Sequence, residues 1–131
     1  MPPIQVVAAV LHDGPLGAPS TRLLACRRAE GKYAAGRWEF PGGKVEPGET
    51  PQAALAREVL EELAVPIRVG ELLDRTVTGR VDLACYAVAL AGPAPTASTD
   101  HDALRWLTAP QLRELEWADA DLPVVRLLSD G

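Results

Sequence analysis

Glu58, Glu61 and Glu62 are spaced three and four residues apart, inside a segment whose apolar residues recur with helical period. On an α-helix, successive residues advance about 100°, so the three carboxylates fall on one side. Like charges at these spacings cost roughly 0.2–0.5 kcal/mol per pair. Two of the three also stand in what would be the last turn, where the macrodipole disfavours anions. Arg57 can relieve Glu61 at i+4, but one guanidinium does not balance three carboxylates. A solvated acidic face is the commonplace origin of such a cluster. Breaking two local electrostatic rules at once points instead to a functional site. Three oxygen donors on one helical face, with no Cys or His beside them, suit a hard divalent cation: Mg²⁺, with Mn²⁺ as the other candidate.

The elements that must hold these groups can be read from punctuation and period. Thr50 is a good N-cap with Pro51 at the first helical position, and Pro66 drives Val65 out of the α region, so a helix is predicted over 51–64. Leu55, Ala56, Val59, Leu60 and Leu63 are expected to face the core. Strands are predicted over 4–11, 23–27, 72–78, 81–91 and 103–107, with turns at Asp13-Gly14 and Gly79. Pro41-Gly42-Gly43 and Pro47-Gly48 turn the backbone twice just before the helix. Residues 92–97 read as an irregular connection. Thr108 and Gln111 form a capping box for a short helix, and Pro123 opens a terminal one. Strands early and late around a central helix imply an α/β domain with a mixed sheet and helices on both faces, spanning 1–131 without a linker.

Composition narrows the function. At 131 residues and 47% hydrophobic, the chain can bury one core. Its net charge of −5 argues against nucleic acid and against an anionic membrane surface as partners. Residues 46–62 alone hold five Glu and one Arg, which is −4 of that −5. The charge is therefore one concentrated site, which repels a bare polyanion and admits one that arrives with its metal. The longest apolar stretch, 83–91, is nine residues, against the roughly 18 a spanning helix needs. Residues 1–4 carry no basic region of a signal peptide. Cys26 and Cys85 sit in apolar stretches without metal spacing, which predicts buried thiols of a reducing, cytoplasmic compartment. Monomer and homodimer are both compatible with this composition.

Gly43, Glu49 and the run Arg57-Glu58-Val59-Leu60-Glu61-Glu62-Leu63-Ala64-Val65 resemble the Nudix box, G-x5-E-x7-R-E-U-x-E-E-x-G-U with U apolar. Six fixed positions are matched, and Ala64 stands where the pattern has glycine. A left-handed alanine at that C-cap would be strained, so a different helix exit is expected. Trp38-Glu39-Phe40-Pro41-Gly42-Gly43-Lys44, Asp100-His101 through Trp106, and Ala120-Asp121-Leu122-Pro123 extend the likeness to the MutT-type branch, and within it to the CTP/dCTP pyrophosphohydrolases.

The resemblance implies a Nudix α/β/α sandwich that hydrolyses a nucleoside triphosphate to the monophosphate and pyrophosphate. It implies Glu58, Glu61 and Glu62 as metal ligands, the Gly43 carbonyl as a fourth oxygen, and Asp100 as a further ligand or the general base, or else an ordinary loop acid, with Glu58 the first choice of base. Arg57 and Glu49 are expected to pair and orient helix and loop. Arg28 and Lys44 are placed to reach phosphate oxygens. Phe40 is placed near the base or is simply core. Tyr33 is either a second stacking face or core. His101 and Trp106 read as packing residues. Asp121 can accept from the N4 amino group of cytosine, or cap the following helix, or both. Related proteins acting on oxidised guanine nucleotides carry asparagine at the matching place. The implied task is clearing unwanted (deoxy)cytidine nucleotides from the pool. The rivals are an 8-oxo-dGTP diphosphatase and a non-catalytic nucleotide sensor.

Overall fold

A computed structural model describes residues 2–130. The chain runs β1 (Ile4–His12), β2 (Arg22–Arg28), β3 (Trp38–Glu39), β4 (Gly42–Lys44), α1 (Pro51–Leu63), β5 (Ile67–Thr78), β6 (Val81–Leu90), β7 (His101–Thr108) and α2 (Leu122–Asp130), with 3₁₀ turns at Pro110–Glu114 and Asp119–Asp121 before α2. The strands form a mixed sheet in the order β3-β2-β1-β6-β5, with β4 also on β1 and β7 also on β2. β1 and β6 run parallel and the remaining pairs antiparallel.

β1 shows why its sequence reads as an unbroken apolar run. Alternate side chains enter opposite faces of the sheet, and both faces are covered. Val7, Ala9 and Leu11 pack with Leu55, Val59 and Leu63 of α1. Ala8 and Val10 pack with Trp117, Val124 and Val125 on the side of α2. The result is the α/β/α sandwich that the element order implies. Cys26 and Cys85 are buried free thiols, one in each layer. No helix among the described residues is long and apolar enough to cross a membrane.

Several boundaries differ from the sequence reading. β5 begins at Ile67, directly after Pro66, and pairs with β6 through register shifts between Val69 and Asp74. Those irregularities hide the alternation on which a strand assignment depends. β4, read as part of a double turn, pairs Gly42 and Gly43 with Ala8 and Val7 of β1. A side chain at Gly42 would strike the Val7 carbonyl, which is why glycine stands there. Leu60 is half-exposed rather than core-facing, and Glu62 is buried in its stead. Ala64 does not redirect the helix exit: it adopts the left-handed conformation itself, φ 57° and ψ 33°, and its N–H bonds the Leu60 carbonyl. The chain leaves α1 as a glycine would leave it and carries the strain.

Candidate active site

α1 starts on its cap, the Thr50 hydroxyl accepting from Ala53 N, and so presents Arg57 to the loop before it. Arg57 Nε and Nη2 donate to the two oxygens of Glu49 at 2.8 and 2.9 Å. Nη1 donates to Glu58 at 2.9 Å and to Glu61 at 3.4 Å, and Nη2 also to the Lys44 carbonyl at 3.2 Å. These five bonds match the five N–H donors of the planar fork; the three donors of a lysine ammonium could not make them all. These bonds hold the Glu49 carboxyl down at about 2, helped by the Glu46 N–H.

Glu62 is in the opposite situation. It is 5% exposed, and its Oε2 has no hydrogen-bond partner. Burial, with Asp100, Glu58 and Glu39 adding negative charge, pushes its carboxyl up to about 9. The loop ahead of β7 is tied to this end of α1, since Thr99 N donates to the Glu62 carbonyl at 3.0 Å. Asp100, on that loop, is half-exposed and lies 3.7 Å from Lys32.

Among the described residues, no three His, Cys, Asp or Glu side chains converge in an ion-holding arrangement; Glu58 and Glu61 are turned to Arg57. The site nonetheless fits a hard divalent ion. A buried carboxylate oxygen stands without a partner inside a group of further carboxylates, an all-oxygen donor set. The Gly43 backbone lies so close to the Glu58 carboxylate that a Cβ there would collide with it.

β4 also borders a cleft of about 890 Å³. Arg28, Tyr33, Phe40, Gly43, Lys44 and Asp121 all line it. Tyr33 is 91% exposed, so it is not a core residue. Phe40 is buried against Trp117, with ring centroids 4.8 Å apart, and both belong to the core. Asp121 Oδ2 accepts from Phe40 N at 3.0 Å, across 81 residues of chain. Burial outweighs that bond and raises the Asp121 carboxyl to about 8, with Glu39 contributing.

Two further cations, Arg37 and Arg80, line the same cleft. Their sequence signal was an arginine directly after each of the turn glycines Gly36 and Gly79. His101 is more than packing. Its side chain is 1% exposed, with Nε2 2.8 Å from Glu39 and Nδ1 2.7 Å from Ser98 Oγ. Glu39, which no spacing singled out, also accepts from Arg28 Nη1 at 2.9 Å.

The α/β/α sandwich sets an acidic helix beside a cleft lined by the basic side chains Arg28, Arg37, Lys44 and Arg80, a charge arrangement that suits a phosphate-bearing small molecule arriving with its cation. A sequence model of the NUDIX domain matches residues 2–128, and the chain belongs to this family of nucleotide hydrolases. It is 44% identical over 106 residues to putative 8-oxo-dGTP diphosphatase 2 of Mycobacterium tuberculosis, covering 76% of this chain and 73% of that one. It is 38% identical over 127 residues to CTP pyrophosphohydrolase of Escherichia coli, covering 93% and 88%. Among solved structures it superimposes on MutT, from work on the Aliivibrio salmonicida and Vibrio cholerae proteins, with TM-score 0.81, 25% identity and 97% of each chain covered. The E. coli ORF135 protein superimposes with TM-score 0.73 at 32% identity, covering 96% of this chain and 88% of that one.

Proposed function

We propose that this Nudix hydrolase converts a (deoxy)nucleoside triphosphate to the monophosphate and pyrophosphate with Mg²⁺ or Mn²⁺, preferring CTP, dCTP or a modified cytosine nucleotide. The observation that carries the base preference is the buried Asp121 carboxyl, held on the wall of the cleft by Phe40 N. It can accept from the cytosine N4 amino group, and a buried polar group left unmatched by another base would be costly. The likeness to the E. coli CTP pyrophosphohydrolase supports the same reading.

Glu58, Glu61, Glu62, Asp100 and the Gly43 carbonyl are the groups assigned to the divalent ion. Bound there, it would neutralise phosphate charge and lower the pKa of a water. Glu58 Oε2, the oxygen not bonded to Arg57, accepts the proton of the attacking water, with Asp100 the next candidate. Arg57 holds Glu49, Glu58 and Lys44 in one frame, so that helix, loop and β4 keep their spacing. Arg28 and Lys44 supply charge-assisted bonds to phosphate oxygens. Phe40 and Tyr33, which both line the cleft, are the aromatic groups assigned to the base.

One observation favours 8-oxo-dGTP as the second reading. With its carboxyl raised to about 8, Asp121 is neutral at pH 7 and both donates and accepts, as an amide does. The likeness to the putative M. tuberculosis 8-oxo-dGTP diphosphatase supports that alternative. The deciding experiment is a panel of canonical, methylated and oxidised nucleotides with Mg²⁺, scored for pyrophosphate against orthophosphate. A cytosine nucleotide turned over at least tenfold faster than 8-oxo-dGTP, with that ratio lost in Asp121→Ala, is the expected outcome. A ratio unchanged in Asp121→Asn and Asp121→Ala would remove Asp121 from base selection. No turnover of any member would leave only a non-catalytic nucleotide sensor.

A further inference from the structure

Arg28, Glu39 and His101 come from three different strands, β2, β3 and β7, that meet at one end of the sheet. Register explains the meeting: Arg28 is opposite His101, and Glu39 is opposite Cys26, two residues earlier on β2. A bulge between Arg27 and Arg28 interrupts the pairing there. Glu39 uses both oxygens: Oε1 takes Arg28 Nη1 at 2.9 Å, and Oε2 is 2.8 Å from His101 Nε2.

The remaining bonds settle the direction of each proton. A carboxylate can only accept, so Nε2 carries the hydrogen. In the neutral ring Nδ1 is then the acceptor for the Ser98 hydroxyl at 2.7 Å, while Ser98 Oγ accepts from Asp100 N at 3.3 Å. The links are continuous from Asp100 N through Ser98, His101 and Glu39 to Arg28, and every member has a partner of the opposite role. The histidine is almost wholly enclosed, and its Nδ1 also lies 4.0 Å from Glu62. An apolar residue would fill such a place without any network. A buried, fully satisfied polar chain is rigid, because breaking any link strands a polar group away from water.

We propose that Glu39 and His101 are positioning residues that lock the Arg28 guanidinium in the cleft and tie it to the loop carrying Asp100. Arg28 keeps one face toward the cleft while its Nε and Nη1 are taken by Tyr33 O and Glu39. A bound phosphate therefore meets an arginine whose rotamer entropy is already lost, which is where preorganisation gains affinity. The inference rests on Arg28 being a phosphate-binding residue of the proposed triphosphate hydrolase.

The test combines a kinetic cycle with a spectroscopic readout. His101→Leu is expected to raise KM for the triphosphate about tenfold, the loss of one charge-assisted hydrogen bond, with Tm followed in parallel. In an Arg28→Ala background the same change should alter KM less than twofold, since the residue it positions is gone. His101→Gln keeps an N–H donor for Glu39 and should stay within about threefold of the parent. Independent tenfold effects in the double variant, or a glutamine variant as impaired as leucine, would overturn the proposal.

Ring ¹⁵N–¹H correlations need no variant and no turnover. The chain has two histidines, so assignment is direct. A proton on His101 Nε2, lost or redistributed in Glu39→Ala, supports the link; a bare Nε2 in the parent refutes it. If no nucleotide is hydrolysed, the substrate reading fails while this readout still judges the network.

Discussion

Glu62→Gln should make the metal-free protein more stable while abolishing its activity. In the unfolded chain the Glu62 carboxyl loses its proton near 4.5; in the folded protein it keeps it up to about 9. Between those values unfolding releases a proton, so stability falls as pH rises, and the penalty is complete only above about 9. At pH 7.5 the solution is about three pH units above the unfolded value, which at about 1.4 kcal/mol per unit sets an upper bound of about 4 kcal/mol. Relaxation of the site reduces this, and about 2 kcal/mol is the working figure. Glutamine nearly preserves the volume, and its amide can donate to the neighbouring carboxylates as the protonated acid does. For a chain of this size, about 2 kcal/mol corresponds to roughly 6–10 °C in Tm. Urea or thermal unfolding in chelator from pH 5 to 9 would measure it, with the two proteins converging toward pH 5 and separating above it. Added Mg²⁺ should then stabilise the parent and not the variant. A glutamine variant less stable than the parent at pH 8 without metal, or one stabilised equally by Mg²⁺, would refute the reasoning on burial and on ligation respectively.

Gly43→Ala should leave the fold intact by circular dichroism and cost at least about 100-fold in activity, because the added Cβ displaces the Glu58 carboxylate. Ala64→Gly should raise stability by about 0.5–1 kcal/mol in denaturant melts, the relief of a left-handed alanine less the entropy of a freer unfolded chain, with activity unchanged. Asp121 is ordinarily ionised above 3.8 and in the fold only above about 8, so it too lowers stability as pH rises through that interval. Asp121→Asn should flatten that slope, which stability curves at pH 5 and 8 would read. The parent should also shift its base preference as pH crosses 8, since ionised Asp121 can accept but no longer donate.

The acidic helix was legible because its evidence is local. The Thr50 cap, the apolar stripe and the breach of like-charge rules all fall within 15 residues, and α1 appears with boundaries one residue from expectation. The Arg57–Glu49 contact follows from the same stretch of chain. The strand predicted over 72–78 omits the start of β5 because register shifts disguise its period, and Leu60 and Glu62 exchange places because helical period alone does not say how far the core wraps around α1. Glu39, Arg37, Arg80 and the hydrogen-bonded role of His101 carried at most a weak local sign, since each depends on partners far along the chain.

By itself the sequence determined the family, the position of the acidic helix and the concentration of negative charge around it, because those depend on residues close enough to interact through one helix and its cap. Tertiary structure alone decided which carboxylate is buried without a partner, which arginines enter the cleft, and that Asp121 accepts from Phe40 N. A carboxyl's burial, its partners and its proton affinity are set by neighbours brought in from other strands, and no spacing along the chain records them.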